Sequence, residues 1–323
     1  MGNPEDMGGT GIRAGRYLVA VALVAAALVG CGAPADHDAD EADALAAAAA
    51  APADVVHNVT FYSAALDRDL SYLVWLPPGY AEDPDGRYPV LYLLHGIGGD
   101  NREWLGYGVD ETAAALLAAG CIRPFLVVLP QGDEAYWLNH ADGPRWGDAI
   151  ADDLVAHVDA NYRTIPDRGS RAVGGLSMGG HGALQLAFNH PDVFGVAGAH
   201  SPTLRPRAEA PYYFADAATF AKVDPLVHAR RDEGLGAIRI WVDAGDADPW
   251  LPRIELLHKT LERRGVAHTW QVWEGDHESE YWTAHVADYL TFYSRALAGE
   301  PDSAAAVKEA PPVLGACGPP SAL

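Results

Sequence analysis

Ser177 stands in Gly175-Leu176-Ser177-Met178-Gly179, a match to G-x-S-x-G. A serine hydroxyl becomes a nucleophile only when a base takes its proton, and that base needs an acid to orient it. Two later segments carry such groups. Ala244-Gly245-Asp246-Ala247-Asp248-Pro249-Trp250 follows the apolar run 238–243, and Glu274-Gly275-Asp276-His277-Glu278 follows the apolar run 269–273. The chain order Ser, Asp, His is that of hydrolases with a strand-turn-helix nucleophile. His277, past the last apolar run and next to Gly275, is the expected base; a surface histidine is the alternative. Asp248 lies furthest from its strand end and is the expected acid, with Asp246 next and Asp243 in the same loop.

An acyl transfer also needs donors for the developing oxyanion. The N–H of Met178, directly after the nucleophile, is one. The loop His95-Gly96-Ile97-Gly98-Gly99 supplies the other, expected at Ile97, because glycines let backbone approach substrate closely. Lys and Ser/Thr are missing from the positions that a phosphate-binding loop requires. Neither an H-E-x-x-H motif nor a Cys/His cluster is present, so no metal or other cofactor is expected. Trp104, Trp137, Trp250 and Trp282 fall in or near predicted loops. They are the candidates for stacking on an aromatic acyl group or a sugar, with core packing as the plainer reading.

The elements that must position these groups are legible as an alternation. Residues 57–63 and 70–76 pattern as an antiparallel pair across Asp67-Arg68-Asp69. Residues 88–95 (YPVLYLLH), 125–129, 172–177, 193–199, 238–243 and 269–273 are apolar runs suited to buried strands. Helical patterns at 111–119, 148–162, after Ser177, at 251–264 and at 280–297 separate them. The expected fold class is α/β, an α/β-hydrolase fold with a mostly parallel sheet and helices on both faces. The connection 200–236 is long, and its prolines and Tyr212-Tyr213-Phe214 suggest a substrate-side lobe.

Within 323 residues, a single catalytic domain is expected over 56–298. Residues 1–30 read as a lipoprotein signal peptide: Arg13 and Arg16, a 13-residue apolar core over 17–29, then Leu28-Val29-Gly30-Cys31, which resembles a bacterial lipobox with Cys31 as the lipidated residue. Residues 31–55 read as a disordered Ala/Asp-rich tether and 299–323 as an Ala/Pro-rich tail. The chain is then exported and anchored to a bacterial membrane through its N-terminal lipid alone. In that setting Cys121 and Cys317 form the one possible disulfide of the mature chain, against a buried thiol at Cys121. A formal net charge of −22 with only three lysines argues against a nucleic-acid partner.

Taken together, Val74 to Tyr80 (VWLPPGY), Pro89 to Gly99 (PVLYLLHGIGG), Arg171 to Ala183 (RAVGGLSMGGHGA) and Glu274 to Trp282 (EGDHESEYW) resemble the esterase D-like branch of the α/β-hydrolases. The similarity covers about residues 57–298, and feruloyl-esterase-like members look closest. The resemblance implies a serine esterase acting on a small-molecule or carbohydrate-linked ester, such as a feruloyl or acetyl ester. It also implies Asp248 as the acid ending a G-x-x-D stretch, and N–H donors at Ile97 and Met178. Acyl transfer of the mycolyltransferase kind, to a sugar or lipid alcohol, is the alternative chemistry. A non-catalytic surface binding protein on the same scaffold is the alternative class.

Overall fold

The computed structural model describes residues 56–300 apart from Asp142, Tyr212, Tyr213 and Ala215. The proposed leader, tether and most of the tail, with Cys31 and Cys317, lie outside the described residues. Eight strands form one sheet: β1 (Val56–Ser63), β2 (Arg68–Trp75), β3 (Val90–Leu94), β4 (Leu126–Pro130), β5 (Arg171–Leu176), β6 (Val196–His200), β7 (Arg239–Gly245) and β8 (Thr269–Trp273). Their spatial order is β1-β2-β4-β3-β5-β6-β7-β8. β1 and β2 pair antiparallel, Val56 opposite Trp75 and Ser63 opposite Arg68, and β2 also runs antiparallel to β4. Every other pairing is parallel. This is the α/β-hydrolase architecture that the alternating pattern predicts.

Side chains alternate across a strand, and that alternation divides the core into two layers. Tyr72, Val74, Tyr92, Leu94, Val128 and Val173 face one way. Leu73, Trp75, Leu91, Leu93, Val127 and Ala172 face the other. The second layer is covered by α2 (Val109–Ala118) and by the last helix, α9 (Ser279–Leu297), through Val109, Tyr289, Leu290 and Tyr293. A four-residue helix, α1 (Glu103–Gly106), precedes α2. The first layer is covered by α5 (Met178–Asn189), by α8 (Leu251–Arg263) through Ile254, Leu257 and Leu261, and by the helical stretch before β5.

That stretch differs from the single helix expected over 148–162. It runs as α3 (Trp146–Asp148), a π-helical turn (Ala149–Leu154) and α4 (Val155–Asn161). Ile150, Leu154, Val155 and Val158 are buried, as their spacing predicts. Asp153 in the π turn accepts from Ser63 Oγ at 2.7 Å and Ala65 N–H at 2.8 Å, tying the turn to the end of β1.

The segment after β6, expected as a substrate-side lobe, packs against the main core. Asp216 caps α6 (Ala217–Val223) by accepting from the N–H groups of Ala218 and Thr219, and Asp224 caps α7 (Pro225–Arg231), which starts with proline. Leu204, Phe214, Phe220, Val223, Leu226 and Leu235 join the main core, so apolar burial holds this segment on the domain. Cys121 is half-exposed and disulfide-bonded, with its partner outside the described residues; it is not the buried thiol of the plainer reading.

Candidate active site

Ser177 directly follows β5 with φ 53° and ψ −116°, a conformation that costs a non-glycine residue about 1–3 kcal/mol and persists only where surroundings enforce it. Its N–H donates to the His200 carbonyl at 3.1 Å. Its own carbonyl accepts from Thr203 N–H at 3.0 Å and His181 N–H at 3.1 Å. The flanking glycines allow the turn to close. A Cβ on Gly175 would lie 2.4 Å from the Gly179 carbonyl carbon, and one on Gly179 would lie 2.3 Å from the Leu94 carbonyl oxygen. α5 begins at Met178, so its first-turn N–H groups and positive end flank the serine.

Two loops at the carboxyl ends of β7 and β8 bring up the partners. His277 Nε2 lies 2.8 Å from Ser177 Oγ, and His277 Nδ1 lies 2.9 Å from Asp248 Oδ2. Asp248 is buried; its Oδ1 accepts from Trp250 N–H at 2.6 Å, and its Oδ2 also accepts from Ser201 Oγ. With the Nδ1 proton held by this carboxylate, Nε2 turns its lone pair to the serine hydroxyl. Trp282 and the His277 ring pack edge to face, centroids 5.0 Å apart, while the Trp282 indole N–H donates to the His200 carbonyl. One carbonyl therefore holds both the Ser177 backbone and the residue against which His277 rests.

The three aspartates expected in one loop do three different things, and Asp243 lies within β7 itself. Asp248 meets the histidine. Asp246 accepts from Gly275 N–H at 3.1 Å, joining the β7 and β8 loops. Asp243 is fully buried, where it receives Trp241 Nε1–H at 2.7 Å and Tyr281 O–H at 2.8 Å and pairs with His200 Nδ1 at 2.8 Å.

The β3 loop reaches the serine from the other side. A Cβ on Gly96 would stand 3.5 Å from Ser177 Cβ. Glu103 accepts from Gly96 N–H at 2.7 Å, and Gly132 N–H donates to His95 Nε2 at 3.0 Å. His95 Nδ1–H then donates to the Gly96 carbonyl at 2.8 Å. Neither Ile97 N–H nor Met178 N–H donates to an acceptor among the described residues. Ile97 itself is exposed.

The four tryptophans separate by burial. Trp104, Trp137 and Trp282 are buried and support the loops instead of lining a cleft: Trp104 donates to the Leu94 carbonyl at 3.0 Å, and Trp137 to the His95 carbonyl at 3.2 Å. Trp250 alone of the four is half-buried, two residues from Asp248. Residues that motif spacing did not single out also meet the serine. Thr203 Oγ1 lies 2.8 Å from Ser177 Oγ, and Ser201, with φ 50°, contacts Asp248 and lies 3.4 Å from His277 Nδ1. Their signal was position: His200-Ser201-Pro202-Thr203 leaves the carboxyl end of the strand beside β5, where ligand-facing groups of parallel sheets collect.

The chain is similar to known esterases in sequence and fold. Residues 63–293 match the family model Esterase, described as "Putative esterase". A solved ferulic acid esterase superposes with TM-score 0.69 at 27% identity, covering 75% of this chain and 98% of that one. An endo-1,4-beta-xylanase/feruloyl esterase of Xylanibacter ruminicola is 33% identical over 151 residues, 44% of this chain. This chain spans 21% of that longer relative. An acetyl esterase of Caldicellulosiruptor saccharolyticus is 23% identical over 271 residues, 74% of this chain and 98% of its own length. With a fold, a serine elbow and a family match that coincide over the same residues, the chain belongs to this esterase family.

Proposed function

We propose that the chain is a serine carboxylic-ester hydrolase working through an acyl-enzyme, with Ser177 as nucleophile, His277 as base and Asp248 as orienting acid. The observation that carries this is the unbroken relay at 2.8 Å and 2.9 Å from Ser177 Oγ through His277 to Asp248. His277 Nε2 takes the Ser177 proton as Oγ attacks the ester carbonyl. The N–H groups of Ile97 and Met178 stabilise the tetrahedral oxyanion. The imidazolium, stabilised by Asp248, then protonates the departing alcohol, leaving Ser177 acylated. Water repeats the sequence and releases the acid. If the Ser177 proton points to His277, the Thr203 hydroxyl donates into Oγ and holds it in line.

Feruloyl or acetyl esters of carbohydrates are the proposed substrates, supported by the feruloyl and acetyl esterase names of the relatives. Residues 1–31 support export with a lipid on Cys31. Ser177→Ala is expected to lower turnover of short p-nitrophenyl esters by roughly 10⁴-fold or more while the fold persists by circular dichroism. Retained turnover removes the proposal. Mass spectrometry of the mature protein should begin at a diacylated Cys31; an unmodified N-terminus elsewhere removes the anchor.

A further inference from the structure

Arg205 lies two residues beyond Thr203, a span of at most about 7 Å between their Cα atoms, on the strand of chain that leaves β6 past Ser177. Its Nε donates to Tyr136 O–H oxygen at 2.7 Å, and its guanidinium carbon lies 4.8 Å from the centroid of the Trp250 ring. The guanidinium thus bridges two loops of the site, one after β4 and one after Asp248. Arg68, Arg145, Arg171 and Arg253 each pair with a carboxylate. Arg205 has no carboxylate within ion-pair distance among the described residues, and its two terminal nitrogens donate to no protein acceptor there. It is half-exposed, on the segment whose Thr203 hydroxyl lies 2.8 Å from Ser177 Oγ.

A cation held this way has one face against an indole and one nitrogen tied to a phenol, leaving a planar two-donor edge. That edge fits a carboxylate in its own plane, by the paired geometry that makes arginine the residue of choice for such groups. The rest of the molecule narrows the ligand. In a chain of net charge −22, a dianion approaches against strong repulsion and meets one cation, whereas a single carboxylate is matched by it. We propose that Arg205 is a specificity-determining residue that binds a carboxylate carried by the ester substrate, on its acyl side or its alcohol side. The proposal rests on the esterase reading of Ser177 and adds the substrate's charge to it.

The test uses pairs of esters that differ only in a free or amide-capped carboxylate. In the acyl arm the pair is a 4-nitrophenyl succinate half-ester and its amide. In the alcohol arm it is an O-acetylated methyl glucuronoside and its uronamide. Wild type should show kcat/KM at least tenfold higher for the free acid in one arm, which also tells the two sources apart. Arg205→Gln should cut that ratio at least tenfold, mainly through KM, and Arg205→Lys should keep part of it, because the charge remains while the fork is lost. No acid preference in either arm overturns the inference, as does a loss in Arg205→Gln that is equal for acid and amide, which would mark a purely structural brace. Turnover that survives Ser177→Ala sinks the esterase reading instead. Absence of turnover on every ester, with Ser177 unlabelled by a fluorophosphonate, removes both.

Discussion

Three aspartates within six residues give the sharpest test at the level of single side chains. Asp248 accepts from the ring nitrogen that must stay protonated for Nε2 to act as base, so Asp248→Asn presents an amide that can favour the wrong tautomer. Its kcat on p-nitrophenyl acetate should fall by roughly 10³–10⁴-fold with KM little changed. Asp246→Asn keeps an acceptor oxygen for Gly275 N–H, so its kcat should stay within about threefold, given that one neutral hydrogen bond contributes only about 0.5–1.5 kcal/mol. Equal losses in the two variants would mean that the loop, not the Asp248 carboxylate, governs the rate. Ser177 and His277 were legible because each follows an apolar run and precedes a helix. Position put Asp248 first, as furthest from the strand end, but spacing alone could not separate the aspartates of the loop from that of the strand, because this depends on where the chain turns. Asp243 shows why: it belongs to β7 itself and points into a buried cluster with His200 and Tyr281.

At the level of elements, strand, turn and helix around Ser177 are a single device whose tolerance is set by backbone contact. Gly179 lies in the first turn of α5 against the end of β3, and an added methyl would enter the space of the Leu94 carbonyl, which is fixed by the sheet and by Trp104. Gly179→Ala should therefore destabilise the fold by about 1–3 kcal/mol, the usual cost of overpacking. It should also lower kcat, since Leu94 leads directly into the loop of Gly96 and Ile97. Thermal unfolding and p-nitrophenyl acetate turnover, measured together, check both; an unchanged midpoint would show that β3 and α5 can separate freely. The strands were readable because burial on both faces leaves continuous apolar runs. Other features were hidden for a physical reason. The π turn over Ala149–Leu154 preserves a helical burial pattern, so periodicity cannot register it. The indole N–H groups of Trp104, Trp137 and Trp282 find backbone carbonyls within the fold, so large aromatics near predicted loops became braces for the site instead of its walls.

Across the whole molecule, a chain this acidic also buries a histidine one helical turn from Ser177. His181, in α5, is enclosed by Tyr136 and Phe214 and bonds through Nε2 to the Val223 carbonyl at 2.8 Å. Burial pushes its pKa down from about 6.5 to about 4, and the nearby Asp224 carboxylate only partly opposes this. The unfolded chain therefore takes up this proton first as pH falls. The stabilisation is complete above about pH 6.5, declines between there and about pH 4, and declines no further once the folded protein protonates too. Over that window it amounts to about 3 kcal/mol. His181→Gln keeps an N–H for Val223 and removes the titration, so the variant should lose less stability than wild type between pH 7 and pH 4. Urea midpoints at pH 7, 5.5 and 4 measure the difference, and because both proteins share every carboxylate, acid effects common to the chain cancel in it. Parallel losses in the two proteins would place the acid sensitivity in those carboxylates. A gap that opens only below pH 6.5 would place it in the histidine behind the elbow, where α5, the β4 loop and α6 meet.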